Sequence, residues 1–214
     1  MHAIVLRSFV GKGIGRVYAA VQEVRVSEEQ SEREREKPPS ILYQWDATSL
    51  ITCAKFQLEG RLILDYVLDI ADIVISTEVQ QETVEAGLAG GYPDAVAIEE
   101  RIDAGRIEVR TVARTSARFE EVLDLYGFQE GDKAVVRLAL TAADVAATVT
   151  DDRLLYIMLH RCGHQALFLP DLIEKAVADN VCDATTGQQL LLAISPHLQK
   201  GFVEHSLGRL EGVL

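Results

Sequence analysis

From residue 41 onward, short apolar runs alternate with amphipathic segments that are long enough to form helices. The apolar runs are rich in β-branched residues and are bounded by residues typical of turns, as buried strands are. Strands that alternate with helices are typical of β-α units around a parallel sheet. The sequence therefore predicts an α/β protein with strands over residues 41–45, 72–75, 106–112, 146–150 and 166–169.

The predicted helices follow from apolar spacing and from the residues that begin or end a helix. Ser76 and Asp94 stand where N-caps are expected, and Gly60 and Gly105 stand where helices end. We expect helices over residues 48–57, 61–71, 77–89, 94–104, 116–126, 131–143 and 153–161, then two or three helices in 171–214 with breaks at 185–187 and 195–196.

Three regions are predicted along the chain. Residues 1–40 form an N-terminal extension, whose charged run over 27–40 (SEEQSEREREKPPS) is predicted to be a solvated linker or an exposed helix stub. Residues 41–170 form the main domain. Residues 171–214 form a C-terminal helical extension that packs on it. The Leu-rich segment 189–194 predicts either a homodimer contact or part of the chain's own core.

The charge and the cysteines exclude several classes of protein. There are 33 Asp and Glu against 21 Lys and Arg, which gives a formal net charge of -12. Binding of nucleic acid through a diffuse positive field is therefore not expected, although a local basic groove stays open. Three cysteines without a CxxC pair argue against a disulfide framework and a structural zinc site. Without a membrane-length apolar run or a secretion signal, the expected location is the cytoplasm, with no membrane partner.

Several carboxylates fall where a predicted strand passes into a helix. Asp46 follows the first strand, and Asp151 and Asp152 follow a later one. Residues at the carboxyl ends of parallel strands line the ligand crevice of an open sheet. Glu82 and Asp132, in two predicted helices, can face the same crevice. Because acids gathered in one pocket repel each other, a hard divalent cation is their natural companion.

Four short segments carry a resemblance to a known family: DATSLI from Asp46, VISTEVQQE from Val74, GDKAVVRLA from Gly131 and VTDDR from Val149. In order and spacing they resemble the successive acidic motifs of PIN-domain proteins, a family that includes VapC-type toxins. The resemblance covers roughly residues 42–169. It implies a three-layer α/β/α sandwich with a central, mostly parallel sheet. It also implies Mg²⁺ or Mn²⁺ bound by the acids, cleavage of single-stranded RNA, and an antitoxin-like protein partner.

The resemblance also implies roles for individual residues. The catalytic and metal-binding acids are Asp46, Glu82, Asp132 and a fourth acid, for which T-D-D permits Asp151 or Asp152 and Asp152 is favoured. Asp151 is kept as a metal ligand as well, and Glu78 is the competitor of Glu82. The hydroxyls of Thr48 and Thr150 are expected to orient these acids or a metal-bound water. Arg137 and Arg153, in or beside the acidic motifs, are candidates for phosphate contacts, because a guanidinium binds phosphate with two hydrogen bonds.

Other interpretations of these residues stay open. A single Asp at the end of a strand is more often a helix cap, but four acids in the family's order favour ligands. Many relatives carry a second acid in the third motif, where this chain has Ala134. The prediction is thus a metal-dependent ribonuclease. The alternatives are a non-catalytic PIN-fold module for nucleic-acid binding or assembly, with an eroded acid site, and a phosphatase that acts on small phosphate esters.

Overall fold

A parallel sheet positions the acidic residues. In a computed structural model, which describes residues 41–212, the central sheet has the strand order β5-β4-β1-β6-β7 and every pairing in it is parallel. The hairpin of β2 and β3 is antiparallel and lies apart from this sheet. The strands are β1 (Leu42–Trp45), β2 (Gln57–Leu58), β3 (Arg61–Leu62), β4 (Asp72–Ser76), β5 (Ile107–Arg110), β6 (Ala147–Val149) and β7 (Ala166–Leu167).

Helices connect the strands and continue beyond the last one. Helix α3 consists of three consecutive segments, the middle one of which is π-helical. A single 3-10 turn, Ser195–His197, joins α9 to α10. The helices are α1 (Ala47–Lys55), α2 (Ile63–Ile70), α3 (Thr77–Gln80, Gln81–Glu85 and Ala86–Ala89), α4 (Pro93–Asp103), α5 (Ala117–Leu125), α6 (Glu130–Thr141), α7 (Arg153–Arg161), α8 (Leu169–Ala178), α9 (Ala184–Ile194) and α10 (Lys200–Leu210).

The direction of winding reverses at strand β1. The chain passes from β1 to β4 and β5 on one side, and then returns to β6 and β7 on the other. In the β1–β6 pairing Trp45 lies beside Val149, so the residues that follow both strands meet at one edge. The carboxyl edge of a parallel sheet at such a reversal is where ligands bind in open α/β folds.

The two faces of the sheet are buried under different helices. On one face Gln44 is fully buried, and its Nε2 donates a hydrogen bond to the carbonyl of Val135 in α6 at 2.9 Å. Tyr43 and Trp45 point to the opposite face, because side chains alternate along a strand, and Tyr43 lies near Lys175 of α8. The predicted α/β fold with three layers is confirmed.

Three local predictions differ from the structure. The hairpin β2–β3 occupies the start of the predicted helix 61–71, and its turn residues Glu59 and Gly60 have φ of 52° and 80°, as the tight primed turns of hairpins require. Asp94 does not cap α4, because Pro93 starts this helix and Tyr92 is its N-cap. The predicted break at 185–187 lies inside α9. Gly187 is there because α9 approaches α8 closely: a Cβ on it would lie 2.6 Å from Val177.

The C-terminal helices share the core of the sheet. Leu172, Leu190, Leu191 and Ile194 are buried in the same apolar cluster as Trp45. The apolar side of segment 189–194 thus lies in the chain's own core. Residues 1–40, the predicted extension and linker, lie outside the described residues. Across 41–212, no helix combines the length and the apolar character that crossing a bilayer requires.

Candidate metal and active site

Asp46 lies at the point where the sheet reverses its winding. It follows β1 directly and is the N-cap of α1, where its Oδ1 accepts a hydrogen bond from the backbone N–H of Ser49 at 2.8 Å. Its backbone N–H donates to the carbonyl of Val149, so the chain after β1 stays paired with β6. Asp46 is only 4% exposed. The residue therefore holds a carboxyl group in a low-dielectric position at the crevice.

Burial changes the ionisation of Asp46. Desolvation raises the pKa of its carboxyl group from 3.8 to about 7. Hydrogen bonds from Thr150 and Ser49 oppose this increase, and the charge of Asp151 adds to it. Near neutral pH the ionised form is thus held at a cost in free energy, and a positive charge placed at this carboxylate relieves that cost.

Asp151 is the neighbour of Asp46 in this group. Its Oδ2 accepts a hydrogen bond from the hydroxyl of Ser49 at 3.2 Å, and its Oδ1 accepts one from the backbone N–H of Leu169 at the start of α8. Burial is the main cause that raises the pKa of Asp151, and the charge of Asp171 adds to it. Asp46 and Asp151 thus form one pair of carboxylates, which Ser49 bridges.

Asp152 belongs to a second group, although it is adjacent to Asp151 in sequence. It is exposed and caps α7, with its Oδ1 accepting from the backbone N–H of Leu155 at 2.8 Å. Burial raises the pKa of Asp132, and the charge of Asp152 adds to the increase. The two residues at the T-D-D motif are therefore not alternatives in the structure, since each one joins a different group of acids.

Asp132 and Glu82 complete the second group. Asp132 lies in the first turn of α6 and closes a capping box, in which its Oδ2 accepts from the backbone N–H of Gln129 at 3.1 Å. Burial raises the pKa of Glu82, and Asp132 is the charged neighbour that adds to the increase. Asp132 is therefore coupled electrostatically to Glu82 on one side and to Asp152 on the other.

Local backbone features place Glu82. It lies in the π-helical segment of α3, a rare form that occurs frequently at functional sites. Its carboxylate rests directly against Gly131: a Cβ at position 131 would lie 2.6 Å from Glu82 Oε2. The absence of a side chain at 131 thus allows Glu82 to reach the start of α6, where Asp132 begins its capping box.

Five carboxylates of the described residues share the lack of a cationic partner there. We call Asp46, Glu82, Asp132, Asp151 and Asp152 the acidic edge. Within residues 41–212, no Lys, Arg or His forms an ion pair with any of them, whereas ion pairs are frequent elsewhere on the surface. In the same part of the chain, no three His, Cys, Asp or Glu side chains already surround a common metal position. The acidic edge is thus two adjacent groups of acids rather than one converged cluster.

The other predicted residues fall in different surroundings. Thr150 is buried and donates to Asp46, but Thr48 is exposed and makes no side-chain contact with it, since Ser49 takes that position. Glu78 is half-buried, and its Oε2 is enclosed without a hydrogen bond in the described residues. It is Glu82 that is coupled to Asp132.

The two predicted phosphate contacts differ in the same way. The guanidinium of Arg137 is buried and binds Glu120 through two hydrogen bonds, of 2.5 and 3.1 Å. Because this ion pair is buried, the guanidinium of Arg137 stabilises the fold and is not accessible to a phosphate group. Arg153 is exposed at the start of α7, beside Asp152, and forms no ion pair within residues 41–212.

Ser49 and Gly131 are site residues that the sequence reasoning missed. The backbone role of Ser49 could have been found, because an N-cap Asp accepts from the N–H three residues later. Its hydroxyl bond to Asp151 spans 102 positions of sequence and has no local signal. For Gly131, the sequence indicates only the start of a helix.

Comparison with protein-family models, curated proteins and solved structures found no significant match. The resemblance to PIN-domain proteins therefore stays a prediction that rests on the four short motifs and on the placement of their acids.

Proposed function

We propose that this protein is a divalent-metal-dependent ribonuclease that hydrolyses phosphodiester bonds of single-stranded RNA, with Mg²⁺ or Mn²⁺ as its cofactor. The observation that carries the proposal is the acidic edge: Asp46 and Asp151 lie at the reversal point of a parallel sheet, and Glu82, Asp132 and Asp152 form the adjacent group. Within residues 41–212, no cation forms an ion pair with any of the five. Carboxylates that are coupled electrostatically repel each other in a partly desolvated site, and a divalent cation reduces the repulsion.

The donor set fits such a cation in its chemistry. Every side chain of the acidic edge offers carboxylate oxygen, the ligand that Mg²⁺ and Mn²⁺ prefer. The pKa values of Asp46, Glu82, Asp132 and Asp151 are all raised, with burial as the main cause. A raised pKa means that the site favours neutralised carboxylates. A bound divalent cation neutralises them as a proton does, so the same site also favours binding of the cation.

Each group of acids has its own part in the proposal. Asp46 and Asp151 would supply carboxylate ligands from the edge of the sheet, and Glu82, Asp132 and Asp152 would supply them from the adjacent group on α3, α6 and the start of α7. Thr150 fixes the orientation of Asp46 through its hydrogen bond of 2.5 Å. When bound, the metal supplies a more nucleophilic water and neutralises the charge that develops on the leaving oxygen.

Cations near the same edge are available for the RNA backbone. Arg153 begins α7 directly after Asp152. Arg114 and Arg118 follow β5, whose carboxyl end lies at the same edge of the sheet, and both are exposed. None of the three forms an ion pair in the described range. These three cations would form a local positive surface for the phosphates of RNA. The RNA backbone needs such a surface, because the acidic edge repels it.

The resemblance also supplies the setting of the proposal. A toxin-like role with an antitoxin-like partner in the reducing cytoplasm is consistent with the cysteines at 53, 162 and 182, which are all free thiols. The second candidate function is a non-catalytic PIN-fold module that binds nucleic acid. Two observations favour it: Ala134 is fully buried where relatives carry a second acid, and the acids do not converge on one point within residues 41–212.

Cleavage of a labelled pool of single-stranded RNA tests the proposal. The full chain is incubated with Mn²⁺, with Mn²⁺ plus chelator, and as the variant D46N. The matched control is D103N, because Asp103 is exposed at the far end of α4. We expect cleavage by wild type and D103N with Mn²⁺, and none with chelator or in D46N. A folded wild type that leaves every RNA intact overturns the proposal and favours the binding module.

A further inference from the structure

Two adjoining clefts lie next to the acidic edge, and Glu82 lines one of them. One cleft, of about 370 Å³, is lined by Glu82, Gly87, Lys55, Tyr92 and Asp94. The other, of about 500 Å³, shares Lys55, Tyr92 and Asp94 with it and extends between α1 and α4. Both volumes are in the range of small-molecule pockets. A ligand in the first cleft therefore lies against Glu82, one of the proposed metal ligands.

Asp94 is the unusual residue of this surface. It is only 8% exposed, yet it forms no hydrogen bond or ion pair within residues 41–212, and it lines both clefts. Its carboxylate oxygens are not among the enclosed polar atoms that lack a hydrogen bond in the described residues, so they open into the clefts. An ionised carboxylate only accepts hydrogen bonds. Asp94 is thus an acceptor held ready for a ligand that donates.

The backbone around Asp94 is fixed by close packing. A Cβ on Gly87 would lie 2.6 Å from Ala95, so α3 and α4 pack here too closely for a side chain at position 87. A Cβ on Gly90 would lie 2.5 Å from the ring of Tyr92, so the ring lies against the chain at that position. The same ring is 58% exposed. The carboxylate and a solvated aromatic surface are therefore held side by side.

The positive charge of Lys55 favours a ligand that carries a negative group. It is exposed on the rim of both clefts and forms no ion pair in the described residues. A ligand that suits all three groups has hydrogen-bond donors for Asp94, a flat aromatic part for Tyr92 and a negative group for Lys55. A nucleotide has all three. An arginine side chain from a protein partner matches Asp94 and Tyr92 but is repelled by Lys55.

We propose that Asp94, Tyr92 and Lys55 form a pocket for a guanine nucleotide of the RNA substrate. Guanine is the base whose Watson–Crick edge carries two adjacent donors, N1–H and the N2 amine, which match the two oxygens of one carboxylate. Stacking on an aromatic side chain and reading of the Watson–Crick edge are the usual means of recognising single-stranded RNA. The inference rests on the proposed function, which it deepens by naming the base that determines where the chain is cut.

Mononucleotides test this pocket without cleavage, since they contain no internucleotide bond. The full chain in EDTA is titrated with guanosine, inosine and uridine 5′-monophosphates by isothermal titration calorimetry. Inosine lacks the N2 amine, and losing a hydrogen bond to a charged group lowers affinity by about tenfold or more. We expect guanosine monophosphate to bind at least about tenfold more tightly than either of the others.

Variants assign the binding to the cleft. D94N should remove the preference for guanosine, because an amide replaces one acceptor by a donor, whereas the control D103N on the same helix should keep it. Tyr92→Leu should weaken guanosine and inosine monophosphates alike, because it removes stacking only.

Three results overturn the pocket. They are equal affinity for guanosine and uridine monophosphates, an unchanged preference in D94N, and binding of an arginine amide in place of the nucleotides. RNA cleavage without binding of guanosine monophosphate overturns the pocket and keeps the nuclease. Binding of that nucleotide without RNA cleavage overturns the nuclease and keeps the pocket.

Discussion

The hydroxyl of Thr150 donates a hydrogen bond to Oδ2 of Asp46 across 2.5 Å. The same oxygen of Thr150 accepts one from the backbone N–H of Asp152 at 3.1 Å. One buried threonine therefore connects the carboxylate that follows β1 with the residue that caps α7, and so links the two groups of the acidic edge.

Thr150→Val keeps the shape of the side chain but leaves the buried carboxylate of Asp46 with one fewer donor. We expect the free energy of unfolding to fall by about 1–3 kcal/mol, the usual cost of an unsatisfied buried polar group. Urea unfolding in EDTA measures this change. Thr185→Val at an exposed position of α9 is the control, with an expected change within about 0.5 kcal/mol, because its hydroxyl has no hydrogen-bond partner within residues 41–212. Equal stability of the two variants contradicts the assigned role of Thr150.

The raised pKa of Asp46 predicts a stability that depends on pH and metal. From its ordinary value of 3.8 up to about 7, the folded state holds a proton that the unfolded state has released. Stability of the metal-free protein therefore falls as pH rises through this window, by up to about 4 kcal/mol. We expect Asp46→Asn to reduce this fall, with the remainder due to Glu82, Asp132 and Asp151, and to unfold at a higher temperature than wild type at pH 8 in EDTA. A wild type that is more stable than Asp46→Asn under these conditions shows that the ionised carboxylate is already compensated.

Gly131→Ala separates the position of Glu82 from the stability of the fold. The new Cβ would lie 2.6 Å from Oε2 of Glu82, so the carboxylate must move away, while the helix itself accepts alanine readily. We expect unchanged or higher thermal stability, with RNA cleavage and Mn²⁺ affinity reduced to the level of Glu82→Gln. Gly201→Ala in α10 has open space around it, and should gain up to about 1 kcal/mol with no change in cleavage. Wild-type cleavage by Gly131→Ala would show that Glu82 does not act from this position.

The Glu120–Arg137 pair predicts a different dependence on pH. Arg137 lowers the pKa of Glu120 from 4.5 to about 2 through a direct hydrogen bond. The folded state therefore keeps Glu120 ionised after the unfolded state has taken up a proton, so stabilisation is complete above 4.5 and is lost as pH falls towards 2. We expect Glu120→Gln to cost about 2 kcal/mol at pH 7 and to flatten the acid side of the stability curve.

The matched change is Glu121→Gln at the exposed neighbouring position, which should shift stability by less than about 0.5 kcal/mol. Urea unfolding between pH 3 and pH 7 records both variants. An equally steep acid decline in wild type and Glu120→Gln contradicts the proposed role of this pair.

The sequence predicts the sheet because strand patterns are local. The runs that became β1, β4 and β6 are short, apolar and bounded by Asp or Ser, and each lies within a residue or two of its expected position. The hairpin of β2 and β3 was missed because it is only two residues per strand and follows helix-like apolar spacing. Gly187 was misread because its reason is contact with Val177 of another helix, which no local pattern contains.

The site was predictable in its position but not in its contacts. Asp46, Asp151 and Asp152 follow strands, so the topology of a parallel sheet brings them to one edge. The division into two groups depends on pairing of β1 with β6 and on side-chain rotamers, and neither is visible in four short motifs. Arg137 is an example. Its neighbours in sequence indicate a contact with phosphate, whereas in the structure it is buried and paired with Glu120, which lies seventeen positions away.

A titration of the full chain with Mn²⁺ tests the central claim most directly. Electron paramagnetic resonance measures the concentration of Mn²⁺ that stays free in solution. Wild type and Asp103→Asn are predicted to remove Mn²⁺ from solution with the same affinity, and Asp46→Asn to bind at least about tenfold more weakly. A wild type that binds no Mn²⁺, or that binds it no better than Asp46→Asn does, would contradict the claim that the acidic edge is a divalent-metal site.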